Sequence, residues 1–235
     1  MRFALFSDIH GNYTGLAAVL DALSALGGAD VLIAAGDHVT GESGGDDLIE
    51  LLLAHHVHLV RGDSDTPDKF IRLAEQARLH PGQTRNSLAY YQGIVEWFEH
   101  SIAPSTRHLL ATLPFEMTFD VAPEQRLYVC HASPRAIDDP VCAAGTPADT
   151  VRRAYGSVDA SIYAFGHAHT SYSRWLDGRL YLNVASVGFR HDGLSRFTLL
   201  TYRDGHWISE HHAVPYDTEA EAKRVVQCGV PRPDP

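Results

Sequence analysis

The chain has 235 residues, of which 45% are hydrophobic and 20% charged, a composition that excludes disordered, fibrous and collagen-like proteins and suffices for one core of ordinary size. Its formal net charge of -10 repels duplex nucleic acid and anionic membrane surfaces unless bound cations override it locally. Cys130, Cys142 and Cys228 make neither an even disulfide framework nor a Cys-x-x-Cys metal site, and no apolar run approaches the roughly 18 residues of a membrane span. Cytoplasmic residence is therefore the expectation, with no signal-peptide core at the start of the chain.

In chain order, the apolar run 3–6 predicts a first strand, followed at once by Asp8-Ile9-His10-Gly11. Leu16, Val19, Leu20, Leu23 and Leu26 then recur at three- and four-residue steps, the period of an amphipathic helix, which Gly27-Gly28 stops. The same grammar repeats: a strand to Ala35, then Gly36-Asp37, a glycine-rich loop and a helix carrying Leu48, Ile49, Leu51, Leu52 and Leu53. A third strand begins at Val57 and ends at Gly62-Asp63. Strands alternating with helices imply βαβ crossovers and a largely parallel sheet.

From 66 to 113 the period is helical, punctuated by Pro67, Pro81 and Pro104, and this stretch reads as a helical insert near the active site of a single domain spanning 1–235. Its Tyr90, Tyr91, Trp97 and Phe98 are expected mainly to pack the insert onto the body. After Pro114 strands dominate, at 116–121, 126–130, 161–165, 172–176, 179–183, 196–202 and 206–212. Asp177-Gly178 and Asp204-Gly205 supply the positive φ angles of tight hairpins, so this half contributes antiparallel strands. A surface helix is expected over 217–227.

Five apolar runs stop at side chains that can bind metal: Asp8 and His10, Asp37, Asp63, His131, then His167 and His169. Loops beyond the carboxyl ends of strands converge in an α/β sheet, so these scattered residues can meet in one site. One Asp-x-His alone is weak. Its recurrence with Gly36-Asp37, Gly62-Asp63, His131 and Gly166-His167-Ala168-His169, each after a strand, is not.

In that order the motifs resemble the calcineurin-like metallophosphoesterase superfamily, in its small bacterial and archaeal phosphodiesterase-like branch, over residues 2 to about 193. The resemblance implies an α/β (α+β) fold, a four-layer α/β/β/α sandwich of two mixed sheets flanked by helices. It implies two divalent metal ions, with Asp8, His10 and His169 on the first, Asp37 bridging, and Asp63, His131 and His167 on the second. The loop 183–188 resembles the turn that lies beside the family's site. Nitrogen and oxygen donors without thiolate suit Mn, Fe or Zn better than Mg alone.

The function so implied is hydrolysis of phosphodiester or nucleotide-type substrates by a hydroxide held between two cations about 3.5–4 Å apart. The expected partner is a small phosphorylated substrate. Two departures stand out in Gly62-Asp63-Ser64-Asp65. The family usually has Asn where this chain has Asp63, so a negative charge is added, which should tighten cation binding and weaken the pull on an anionic substrate. Ser64 replaces the imidazole that resembles the leaving-group acid in many members. His38, directly after Asp37, and His191, in Phe189-Arg190-His191-Asp192-Gly193, are the candidate donors in its place, with Arg190 as a candidate phosphate ligand. The competing readings are a catalytically weak or inactive scaffold of the same fold, and a phosphomonoesterase or protein phosphatase.

Overall fold

The computed structural model describes residues 1–189 and 192–233. The elements run β1 (Arg2–Phe6), α1 (Tyr13–Ala25), β2 (Val31–Ala35), α2 (Asp46–Ala54), β3 (His58–Val60), α3 (Asp68–Leu79), α4 (Leu88–Ser101), α5 (Pro104–Thr112), β4 (Glu116–Ala122) and β5 (Gln125–Cys130). They continue with α6 (Ala148–Tyr155), β6 (Ile162–Phe165), β7 (Tyr172–Leu176), β8 (Arg179–Asn183), β9 (Leu194–Arg203), β10 (His206–Pro215) and α7 (Thr218–Cys228). A short 3₁₀ turn, Pro140–Cys142, precedes α6.

Two five-stranded mixed sheets result, ordered β10-β9-β1-β2-β3 and β4-β5-β6-β8-β7. β1, β2 and β3 pair in parallel, as the βαβ reading requires, and β5, β6 and β8 pair in parallel in the second sheet. Alternate residues of β1 face opposite ways, and the cores follow that alternation. Phe3 and Leu5 join Ile33, Val129 and Leu182 between the sheets. Ala4 and Phe6 join Leu16, Val19, Leu48 and Trp97 beneath the outer helices of the first sheet. A third cluster covers the outer face of the second sheet, where Tyr128, Tyr163 and Tyr181 meet Val151 and Tyr155 of α6 and Val141 and Cys142 of the 3₁₀ turn. Three cores between four layers make the expected sandwich.

The insert 66–113 holds α3, α4 and α5, and Tyr91, Trp97 and Phe98 of α4 are buried. Both Asp-Gly turns take positive φ at both residues, with Asp177 at 51° and Gly178 at 77°, and Asp204 at 52° and Gly205 at 80°. The β9–β10 hairpin does not extend the second sheet. Instead β9 pairs antiparallel with β1, placing the N-terminal strand at the centre of the first sheet. α6 is an element that periodicity did not reveal, because only Val151, Ala154 and Tyr155 of its eight residues are buried.

Candidate metal centre

Four of the five loops that carry the candidate ligands are tied together, in two pairs through backbone and between the pairs through a side chain. Asp8 N donates to Gly36 O at 3.0 Å and His10 N to Asp37 O at 2.9 Å, so the loops after β1 and β2 run side by side. Gly166 N donates to His131 O at 2.9 Å, joining the loops after β5 and β6. Asp8 joins the two pairs, its carboxylate accepting from His167 N at 3.0 Å. Gly36, at φ +93°, sits where a Cβ would lie 2.5 Å from His131 Nδ1, so only glycine lets the loop after β2 pass this close to the imidazole.

Five of the seven candidate ligands have left-handed backbone: Asp8 at φ 50°, His10 at 49°, Asp37 at 55°, His167 at 61° and His169 at 54°. Each such residue costs of order 1–3 kcal/mol, so their clustering here marks a functional constraint on these loops. Ala185, at φ 73°, adds a sixth strained residue in the 183–188 loop, which lies beside the site. There Ser186 Oγ donates to Asp8 O at 2.8 Å and Asn183 Nδ2 to Gly166 O at 2.6 Å.

All seven side chains converge. His169 Nε2 lies 3.3 Å from both Asp8 Oδ1 and His10 Nε2, forming one group with Asp8 and His10. His131 Nε2 lies 3.5 Å from Asp63 Oδ1 and 3.3 Å from His167 Nδ1, forming a second group. Asp37 stands between them with one oxygen toward each, Oδ2 at 3.6 Å from His10 Nε2 and Oδ1 at 3.5 Å from His131 Nε2. His131 Nδ1 sits 2.8 Å from Ala35 O and His10 Nδ1 3.2 Å from Thr40 O. Donation of those ring protons to carbonyls turns the Nε2 atoms into the site, where they can serve as metal ligands once deprotonated.

The charge balance fits divalent cations. Asp8, Asp37 and Asp63 are all buried within this small volume. Burial pushes the Asp8 and Asp37 carboxyls up, yet their neighbours overcome it. Asp8 is lowered through His169 and His131, and Asp37 well below the carboxylate range through His131, His10 and Lys69. Burial would lower His131, but Asp37, Asp63 and Asp8 raise it to about 10. Burial lowers His10 and His167, the latter helped by His131. Convergent carboxylates and imidazoles of this kind are the donor set that Asp/His metal sites use, and a cation here would take the place of the proton that the carboxylates hold on His131.

Two residues of the site were not foreseen. Asp65 is fully buried and accepts from His38 N at 2.6 Å, Gly62 N at 2.7 Å and Asp37 N at 3.1 Å, which fixes the loops that present Asp37 and Asp63. Lys69, in the first turn of α3, places Nζ 2.9 Å from Asp63 Oδ2 and 3.0 Å from Ser64 Oγ. Burial would lower Lys69, but Asp37 and Asp63 raise it, so it stays an ammonium. A lysine six residues past a carboxylate, across Pro67, has no periodic signature that marks it.

His38 is fully buried and directs Nε2 to Val60 O at 3.0 Å, beneath the loop and away from solvent. Arg190 and His191 lie outside the described residues. A cavity of about 280 Å³ opens beside the first group, lined by His10, Ser64, Lys69, Phe70, Tyr90 and Phe189 among others. The Phe189 ring lies 4.0 Å from that of His169 and 5.1 Å from that of His10, covering one side of the site.

The description of a calcineurin-like phosphoesterase superfamily domain matches residues 1–205. The chain belongs to this superfamily. Among solved structures it resembles a metallophosphoesterase from Sphaerobacter thermophilus, with a TM-score of 0.71 at 22% identity, covering 98% of this chain and 95% of that one. It also resembles a hypothetical protein from Pyrococcus horikoshii OT3, with a TM-score of 0.77 at 17% identity, covering 98% and 94%. A more distant likeness is to an archaeal phosphodiesterase, with a TM-score of 0.51 at 12% identity, covering 90% and 100%. No curated protein sequence matches the chain. Membership of the superfamily brings a phosphoesterase fold, and its Asp and His groups here could hold metal. Among the described residues no helix is long and apolar enough to cross a membrane.

Proposed function

We propose that this protein is a metal-dependent phosphoesterase acting on small phosphodiester or nucleotide-type substrates. The observation that carries the reading is Asp37, whose two oxygens face two separate donor groups. Asp8, His10 and His169 would hold one cation, Asp63, His131 and His167 the other, and Asp37 would bridge. When bound, two such cations lower the pKa of a shared water and neutralise charge on phosphoryl oxygens. The chain's own part is positioning: Asp65 and the backbone ties hold the carboxylates, and the carbonyls of Ala35 and Thr40 orient the imidazoles. Phe189 and the insert residues Phe70 and Tyr90 line the cavity in which the substrate would lie, which favours small substrates over protein surfaces. Nitrogen and oxygen donors favour manganese, iron or zinc, and manganese is the metal to try first. Arg190 and His191 stay as proposals for phosphate binding and leaving-group protonation. Three free cysteines suit a reducing compartment, and we infer cytoplasmic residence.

Stripping the protein of metal, reloading it with Mn²⁺ and measuring turnover of bis(p-nitrophenyl) phosphate against the monoester tests this. Asp37→Asn should lower metal occupancy at both positions and reduce turnover at least about 100-fold, by analogy with loss of a key electrostatic group. Metal binding with no turnover on either ester would favour a scaffold, and full activity of Asp37→Asn would remove the bridging role.

A further inference from the structure

The two oxygens of Asp63 have different neighbours. Oδ1 faces His131 Nε2 at 3.5 Å and His167 Nδ1 at 3.8 Å, whereas Oδ2 is held by Lys69 Nζ at 2.9 Å. An asparagine side chain in this place would present one oxygen to the metal group and an uncharged NH₂ on the other side. Here a carboxylate oxygen and an ammonium stand where that NH₂ would be, and their charges sum to zero. The arrangement does not come from helix propensity, because a cation in the first turn of α3 opposes the helix dipole. Lys69 is also not spent on a surface ion pair. Its side chain is only 29% exposed, and it reaches back from the insert to line the cavity with Ser64, His10 and Phe189.

We propose that Asp63 and Lys69 work as one unit, in which the ammonium cancels the charge that the carboxylate adds to the metal group and offers an anionic substrate oxygen a cation at the cavity wall. The inference rests on the metallophosphoesterase reading and deepens it. Lys69 is thus a specificity-determining residue for a phosphoryl substrate, supplied by the helical insert rather than by the sandwich. It also changes the expectation drawn from Asp63 alone: with Lys69 in place, the extra carboxylate need not weaken the pull on an anion.

The test is Mn²⁺ titration by calorimetry of the full chain, followed by inhibition of the Mn²⁺-loaded protein with orthophosphate. Lys69→Met leaves Asp63 uncompensated, so Mn²⁺ should bind about tenfold more tightly and orthophosphate about tenfold more weakly. Asp63→Asn should move Mn²⁺ affinity the opposite way, because a full ammonium then faces the cations without its partner. Asp63→Asn combined with Lys69→Met should return Mn²⁺ affinity to the wild-type value while orthophosphate stays weak, and Lys69→Arg should keep both near wild type. Unchanged Mn²⁺ and orthophosphate affinities in Lys69→Met, with the wild type binding both, overturn the unit and leave the phosphoesterase reading standing. A wild-type protein that binds no Mn²⁺ removes that reading and this inference with it.

Discussion

His38 and Asp37 are neighbours in sequence, yet their side chains take opposite directions. Asp37 lies in the site, while His38 lies beneath it with Nε2 on Val60 O and Nδ1 without a hydrogen-bond partner among the described residues. A proton donor must reach the leaving oxygen directly or through one water, and a wholly buried imidazole cannot. We therefore expect His38→Gln to lower stability by about 1–3 kcal/mol through disturbed burial of a polar group. Its rates on phosphodiesters should keep the wild-type dependence on leaving-group pKa. Thermal unfolding and a series of aryl phosphodiesters measure the two effects, and a selective loss on poor leaving groups would reinstate His38 as the donor. The seven candidate ligands were legible because each follows an apolar run in a short motif. Lys69 was not, because its relation to Asp63 depends on the path of the chain through Thr66 and Pro67 into α3, which periodicity does not encode.

At the scale of elements, the strand–loop units of the first half and the two Asp-Gly hairpins could be read directly, because local chemistry decides both. The placement of β9 against β1 could not, since about 190 residues separate the paired strands and hydrophobic alternation is indifferent to which edge a hairpin joins. The loop between β5 and α6 shows another organisation hidden from pattern. Asp139 accepts from Ser133 Oγ at 2.6 Å, Arg135 Nη2 at 2.7 Å and Val141 N at 3.1 Å, linking the segment after His131 to the 3₁₀ turn. Burial would raise this carboxyl, but Ser133, Arg135 and the Val141 amide together lower it. A carboxyl lowered in the folded state stabilises above its unfolded pKa, about 3.9, and that stability is lost as pH falls through the folded value. Asp139→Asn should thus lower the urea midpoint at pH 7 by the equivalent of about 1–2 kcal/mol, kept modest because half-exposed Arg135 is screened. The gap from wild type should close as the pH is taken down through the usual carboxylate range and past it to the lowered folded value. A gap of constant size down to that pH would mean that packing of the 3₁₀ turn, not the charge, carries the effect.

Across the whole molecule, the C-terminal helix binds the sandwich, the loop after Asp37 and the insert together. Glu221 of α7 is buried, with Oε2 accepting from Thr14 N and Thr14 Oγ1, each at 2.9 Å, and Oε1 from Ser43 N at 3.2 Å. Arg224 donates to Ser43 Oγ at 3.1 Å and lies 4.2 Å over the Tyr13 ring, while Trp97 of α4 donates to Cys228 O at 3.0 Å. The helix therefore clamps the start of α1, which follows His10, to the loop 40–45, which follows His38, and to the insert that carries Lys69. Glu221→Ala leaves the buried Ser43 amide and the half-buried Thr14 amide without their acceptor, and a buried donor left unpaired costs about 1–3 kcal/mol, less where water can reach it. We expect a loss of about 2–4 kcal/mol, read as a lower urea midpoint with an unchanged slope, because the same surface unfolds. Glu221→Gln keeps one acceptor oxygen and should lose less. Metal stoichiometry should be unaltered in both, since neither touches a donor, whereas affinity should fall modestly as the loop behind His10 loosens. An unshifted midpoint in Glu221→Ala would show that apolar packing of Val225 and Val230 alone seats the helix and that the carboxylate clamp is dispensable.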